Sequence, residues 1–152
     1  MNNGRYTVLP HNDVTVFLIG IRVNKWFAVH KWLPVFLAMP PMMKELMSDK
    51  SLGCLSFEMF FKYRGNIVVQ YWESNDKLLA YSKMPNHLKA WKKFMKRTQN
   101  NDAVGFYHET YNVKAQAYEN IYINMPDFGL GKVEQPVKVN KHIHSAKQRL
   151  KS

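Results

Sequence analysis

The segment Ile67-Val-Val-Gln-Tyr-Trp-Glu73 has the composition of a β-strand, and both of its alternating sets carry apolar side chains. Val68, Gln70 and Trp72 fall on one face; Ile67, Val69 and Tyr71 fall on the other. A sheet built around such a strand cannot leave either face to water. Helices can cover one side, and the opposite side needs a second cover.

The remaining elements follow from composition and from breakers. Val14 to Arg22 (VTVFLIGIR) reads as a first strand, preceded by the turn formers His11, Asn12 and Asp13. A helical stretch follows from about Lys25 to Asp49. Within it Pro34 and Pro40-Pro41 predict a kink or break near Met39-Pro40, because an interior proline removes a hydrogen bond and clashes with the preceding turn. Gly53 opens a second strand that runs to Lys62, and Tyr63-Arg64-Gly65-Asn66 joins it to the Ile67 strand as a hairpin. Ser74 caps a short helix from Asn75 to Ser82, Pro85 interrupts it, and a basic helix starts near Asn86. Val104 to Val113 (VGFYHETYNV) is the fourth strand, and Tyr118 to Met125 is a further extended piece. The order βαββαβ predicts an α+β, ferredoxin-like antiparallel sheet with helices on one face. A second copy is the economical cover for the other face, so a homodimer is expected.

The 152 residues carry a formal net charge of +11, which raises the question of a nucleic-acid partner. The distribution of the charge argues against a specific one. Residues 87–97 hold five bases and no acid, and residues 132–152 hold six bases against Glu134, so these two segments supply +10. In the first, Leu88, Trp91 and Met95 recur at i, i+3 and i+7, which makes Lys89, Lys92, Lys93 and Lys96 the solvated back of an amphipathic helix. A nucleic-acid reader needs its stacking aromatics on an exposed face, and here they fall on the buried stripe. Residues 132–152 lack core formers and a sustained period, and read as a flexible basic tail beyond a single domain at residues 1–131. The His142/His144 pair in that tail has no second ligand cluster to make a metal site.

With 46% hydrophobic residues the chain can build a core, and the lone Cys54, set in an apolar strand, is expected to pack inertly. The longest apolar run, Val14 to Ile21, is too short for a bilayer, and Met1 to Arg5 lacks the layout of a signal peptide. A cytoplasmic protein without membrane contact is expected. Phosphate-loop, dinucleotide, zinc-protease and nucleophile-elbow motifs are absent.

Two stretches carry a family resemblance. Val69 to Tyr81, followed by His87-Leu-Lys-Ala-Trp91, resembles the strand-to-helix passage of dimeric α+β-barrel proteins, a group that includes antibiotic-biosynthesis and haem-degrading monooxygenases. A closer likeness runs from about Arg5 to Gly131. It rests on Phe17-Leu-Ile-Gly-Ile-Arg22, Val29-His-Lys-Trp-Leu-Pro-Val-Phe36, Gly105-Phe-Tyr-His-Glu-Thr-Tyr111 and the run from Tyr118 to Gly131. Together these resemble a bacterial and fungal family named for a fumagillin-pathway polyketide monooxygenase. Pro41 and the basic tail depart from its pattern. The resemblance implies a dimeric α+β barrel and a cofactor-independent monooxygenase acting on an apolar aromatic or polyketide-like small molecule. Two alternatives stay open: a haem-binding enzyme of the same superfamily, of aldoxime dehydratase or haem oxygenase type, and a non-catalytic ligand-binding module.

The candidate chemistry centres on Phe106-Tyr-His-Glu-Thr-Tyr111. Alternation puts Phe106, His108 and Thr110 on one face and Tyr107, Glu109 and Tyr111 on the other. An imidazole titrates near neutrality, so His108 is the candidate general base, removing a proton to give a carbanion that reacts with oxygen. Glu109 and Tyr111, on the opposite face, are expected in structural or dimer-interface roles. Arg22, at the end of an apolar strand, is a candidate for a substrate carboxylate or enolate, or for an ion pair with Glu109. His30 on the first helical piece is a second pocket candidate. By the resemblance, Trp72 and its neighbour Gln70 line the substrate pocket. His87 is a conceivable haem ligand, although a place near solvent at the helix start is the plainer expectation.

Overall fold

The computed structural model describes all residues, 1–152. In chain order its strands and helices are β1 (Asn2–Thr7), β2 (Val14–Val23), α1 (Val29–Phe36), α2 (Met39–Ser48), β3 (Cys54–Lys62), β4 (Gly65–Trp72), α3 (Asn75–Ser82), α4 (Pro85–Thr98), β5 (Val104–Val113), β6 (Tyr122–Met125), β7 (Val137–Lys138) and α5 (Ala146–Arg149). The main sheet is antiparallel with the order β3-β4-β2-β5. That is the ferredoxin-like arrangement expected from βαββαβ.

Most of the predicted boundaries lie within a residue or two of the observed ones, and the differences have local causes. The helical stretch breaks at Leu37–Ala38, and Pro40 and Pro41 fall in the first turn of α2. There a proline costs nothing, since its missing N–H has no intrahelical partner to lose. The hairpin turn is tighter than expected, with β4 already beginning at Gly65. Gly65 has φ +154°, and a Cβ there would lie 1.9 Å from the carbonyl oxygen of Ile21. Only glycine admits that approach of β4 to β2. In α4 the fully buried residue is Phe94, whereas Leu88 and Met95 are 40% and 45% exposed. The stripe turns toward Phe94 because its ring stacks on Trp91 and meets Phe106 of β5 edge-on at 4.9 Å.

The two faces of the sheet have different fates. On the helix side Ile21, Val68 and Trp72 are buried, with Trp72 and Val68 at 0% exposure. On the outer side Val16, Leu18, Ile67 and Val69 stay half-exposed. Only the β3 end of that side is covered: Ser56 Oγ donates to the Gly129 carbonyl at 3.0 Å, and Lys132 pairs with Glu58 at 2.8 Å.

A second, small sheet in the order β6-β1-β7 has no counterpart in the sequence reading beyond part of the Tyr118–Met125 piece. β1 (NNGRYT) is polar and has no apolar alternation to reveal it. The basic segment 132–152, expected to be flexible, supplies β7 and α5 and folds back on this sheet. Its anchor is Arg149, whose buried guanidinium donates to Glu119 Oε2 at 2.7 and 2.9 Å and to the His144 carbonyl at 2.8 Å. His144 in turn meets Arg5 Nη1 through Nε2 at 3.1 Å. The fold-back rests on individual polar contacts and the buried Ile143, so no periodicity announces it. Arg149→Ala is expected to leave the buried acceptors unpaired and release the segment. Limited trypsinolysis should then cut at Lys138 and Lys141 several-fold faster than in the parent protein, with the main sheet intact.

No helix is long and apolar enough to cross a membrane.

Candidate functional site

A cavity of about 410 Å³ lies between the main sheet and helices α2, α3 and α4. The alternation of β5 decides which of its side chains reach it. His108 stands opposite Ile19 and Thr110 opposite Phe17, so Phe106, His108 and Thr110 join Phe17, Ile19, Gln70 and Trp72 on the floor. The roof is Met39, Met42, Met43 and Leu46 from α2, Leu78 and Tyr81 from α3, and His87, Leu88, Trp91 and Phe94 from α4. Flexible thioethers and aromatic faces make this a wall suited to a flat apolar ligand.

The polar groups of the wall differ in what they have left to offer. Trp72 Nε1 donates to Gln70 Oε1 at 2.9 Å, and Gln70 Nε2 points at Met43 Sδ at 4.0 Å. Trp72 is therefore satisfied and forms wall, while Gln70 keeps its amide N–H against no stronger partner than a thioether. Tyr81 donates its hydroxyl to Glu45 Oε2 at 3.1 Å. Burial, reinforced by the Glu45 carboxylate, pushes the Tyr81 phenol far above its ordinary range and keeps it protonated. The His108 ring lies 5.6 Å from the Phe17 ring and 5.9 Å from that of Phe106, and its nitrogens make no hydrogen bond to the protein. His108 is nonetheless solvent-exposed, at an open part of the cavity, and an imidazole with both nitrogens free can take a proton from a ligand that reaches it.

Of the residues singled out from the sequence, His108, Trp72 and Gln70 converge on this cavity, and Arg22, His30, Glu109 and Tyr111 do not. Arg22 is exposed at the end of β2 on the outer face and makes no ion pair. His30 is exposed on α1. Glu109 accepts the Tyr111 hydroxyl at 2.6 Å, again on the outer face. That hydrogen bond, together with the Glu109 charge, raises the Tyr111 pKa. His87, expected near solvent, instead lines the roof and meets the Tyr81 ring edge-on at 4.9 Å, with Nδ1 3.0 Å from the Ser82 carbonyl. The Glu45–Tyr81 pair was absent from the sequence reading. The one signal for Tyr81 is its i+3 relation to Leu78 on a short helix.

Cys54 packs beside Trp72, Leu46 and Tyr81, and burial pushes its thiol up to about 11. No group of three or more His, Cys, Asp or Glu side chains converges as a metal site. A second cavity of about 460 Å³ lies toward the small sheet, lined by Asp13, Glu73, Tyr118 and Glu134 among others, and holds none of the predicted site residues.

The sequence matches the family described as Monooxygenase af470-like over residues 14–130, and the chain belongs to that family. No curated protein is a significant match to it. Among solved structures, an aldoxime dehydratase is similar at a TM-score of 0.67 and 20% identity, over 82% of this chain and 39% of that one. The chain thus spans well under half of that enzyme. A conserved Bacteroides thetaiotaomicron protein, described as a possible oxidoreductase, aligns at a TM-score of 0.50 and 12% identity, over 66% of this chain and 98% of its own. The cofactor-independent oxygenase SnoaB from Streptomyces nogalater aligns at 0.46 and 11% identity, over 67% of this chain and 94% of its own. At these identities the first two likenesses bear on the fold alone.

Proposed function

We propose that this member of the Monooxygenase af470-like family oxidises an apolar aromatic or polyketide-like small molecule without a tightly bound cofactor, with His108 as general base. The observation that carries the reading is the single cavity reached by His108, Gln70 and Trp72 together. The chemistry closes without a further reductant for a substrate with an activated methylene. His108 removes one C–H proton, the carbanion adds O2 to give a hydroperoxide, and loss of water with the second C–H proton leaves a carbonyl. One oxygen atom enters the product and the other leaves as water. Oxygen consumption across a panel of phenols and anthrones tests the activity.

Haem is the group the alternative reading would place in this cavity. His87 is the residue that would hold it, since the Ser82 carbonyl holds Nδ1 and the other ring nitrogen is free. Haem, when bound there, would supply a redox-active iron.

The active assembly is a homodimer closed over the outer sheet face. Val16, Leu18, Ile67 and Val69 form a continuous half-exposed patch there, of the kind that monomers rarely leave open. Gel filtration with light scattering should give twice the chain mass of 17.9 kDa at micromolar concentration. Leu18→Glu, placed beside Glu109 in the middle of that face, should shift the protein to monomer without unfolding it. A monomeric parent protein would refute the dimer.

A further inference from the structure

We infer that the cavity reads a hydroxyl on its aromatic ligand, and that His87 is the residue that reads it. This deepens the proposal above, because it assumes that the ligand occupies the same cavity.

The inference comes from subtracting the polar groups that are already engaged. The Trp72 N–H and the Gln70 carbonyl are spent on each other, and the Tyr81 hydroxyl is spent on Glu45. The Ser82 hydroxyl donates to the Leu79 carbonyl at 2.7 Å. Thr110, Asn75, Lys83 and the Gln70 amide N–H also face the cavity without a firm partner, but each has a hydrogen to donate and so makes no fixed demand for a donor on the ligand. His87 is different. Its Nδ1 lies 3.0 Å from the Ser82 carbonyl oxygen, which has no hydrogen to give, so Nδ1 carries the proton. In the neutral ring Nε2 is then a bare acceptor, and it has no partner in the protein. The edge-on contact with Tyr81 and the Nδ1 bond together fix the plane of the ring, so this acceptor is pre-oriented. A preset acceptor in a wall of Leu78, Leu88, Trp91 and Phe94 rewards a ligand that brings a donor there, and penalises one that leaves it unpaired. A phenolic O–H on a flat hydrocarbon frame meets that demand.

His108 is the other imidazole of the cavity, but its nitrogens make no protein hydrogen bond, so nothing fixes its tautomer or commits it to accept. The two histidines stand on opposite walls, one on the sheet and one on the helices. The arrangement separates the roles: His87 positions the hydroxyl, and His108 works on the carbon skeleton. His87 is thus a positioning residue.

The test compares 2-naphthol with 2-methoxynaphthalene, which has the same frame and cannot donate, by titration calorimetry against the parent protein and His87→Phe. Phenylalanine keeps the edge contact to Tyr81 and removes the acceptor. The parent protein should prefer the naphthol about tenfold, the worth of one good hydrogen bond. His87→Phe should bring the ratio to about one while changing the methoxy affinity less than twofold, within packing effects. A preference that survives in His87→Phe, or is absent from the parent protein, overturns the inference. If the variant does not fold, nitrogen NMR of the parent decides: naphthol should move the Nε2 resonance of His87 and methoxynaphthalene should not, and equal shifts overturn the inference. The oxygenase reading is judged separately by oxygen consumption, so a hydroxyl preference without turnover would sink that reading alone.

Discussion

His108→Ala is expected to slow oxygen consumption by roughly 100-fold or more at saturating substrate, with little change in the concentration needed for half-saturation. The split matters more than the size. His108 contributes one of the cavity's many contacts with an apolar ligand, whereas no other side chain on the sheet wall offers an unengaged nitrogen to accept the carbon-bound proton. A packing role would weaken binding and catalysis together; a base confined to the proton-transfer step lowers the turnover alone. The assay is run on haem-free protein with anthrones and phenols. Equal rates in the parent and in His108→Ala would remove the general base, and no oxygen consumption by either would leave a binding module. Activity that appears only after haemin is added, together with a Soret band, would replace the cofactor-independent reading with the haem one.

Trp72→Ala is expected to cost about 3–5 kcal/mol of stability. Its indole is at 0% exposure, meets the Tyr81 ring at 5.5 Å, and packs with Leu46, Cys54 and Leu78 where β4 passes into α3. Truncation leaves a large void and also strips Gln70 Oε1 of its donor. For a domain of this length the melting temperature should fall by about 10 °C, at 2–4 °C per kcal/mol. Trp72→Phe should recover most of the packing and none of the hydrogen bond, and so lie between the two. A melting temperature within a degree or two of the parent for Trp72→Ala would mean that the wall of the cavity is not part of the core.

The elements of the main sheet were legible because each carries a local signal strong enough to survive its surroundings. The apolar run of β2, the turn around Gly65, the Ser74 cap and the alternation of β5 all act over a few residues. Alternation also assigned His108 to the Phe106–Thr110 face of β5, and Trp72 to that of Gln70, before any contact was known. It could not say what else would stand there. Arg22 and His30 looked equally suited to a ligand, and their exclusion follows from which face of β2 packs on the helices and from how α1 lies. His87, in the first turn of α4, reaches the cavity through its ring contact with Tyr81 of α3, a relation between two helices that no window of sequence contains.

By itself, then, the sequence determined a four-stranded ferredoxin-like sheet with apolar side chains on both faces. Backbone periodicity and turn chemistry are short-range, and a strand's two faces are decided by parity alone. Only the tertiary structure decided which histidines share a cavity, and that the basic segment after Gly131 lies against β1, held by Arg149 and Glu119, rather than trailing into solvent. Those outcomes depend on contacts between residues far apart in the chain, where one partly buried ion pair or one ring against another outweighs a local composition that points elsewhere.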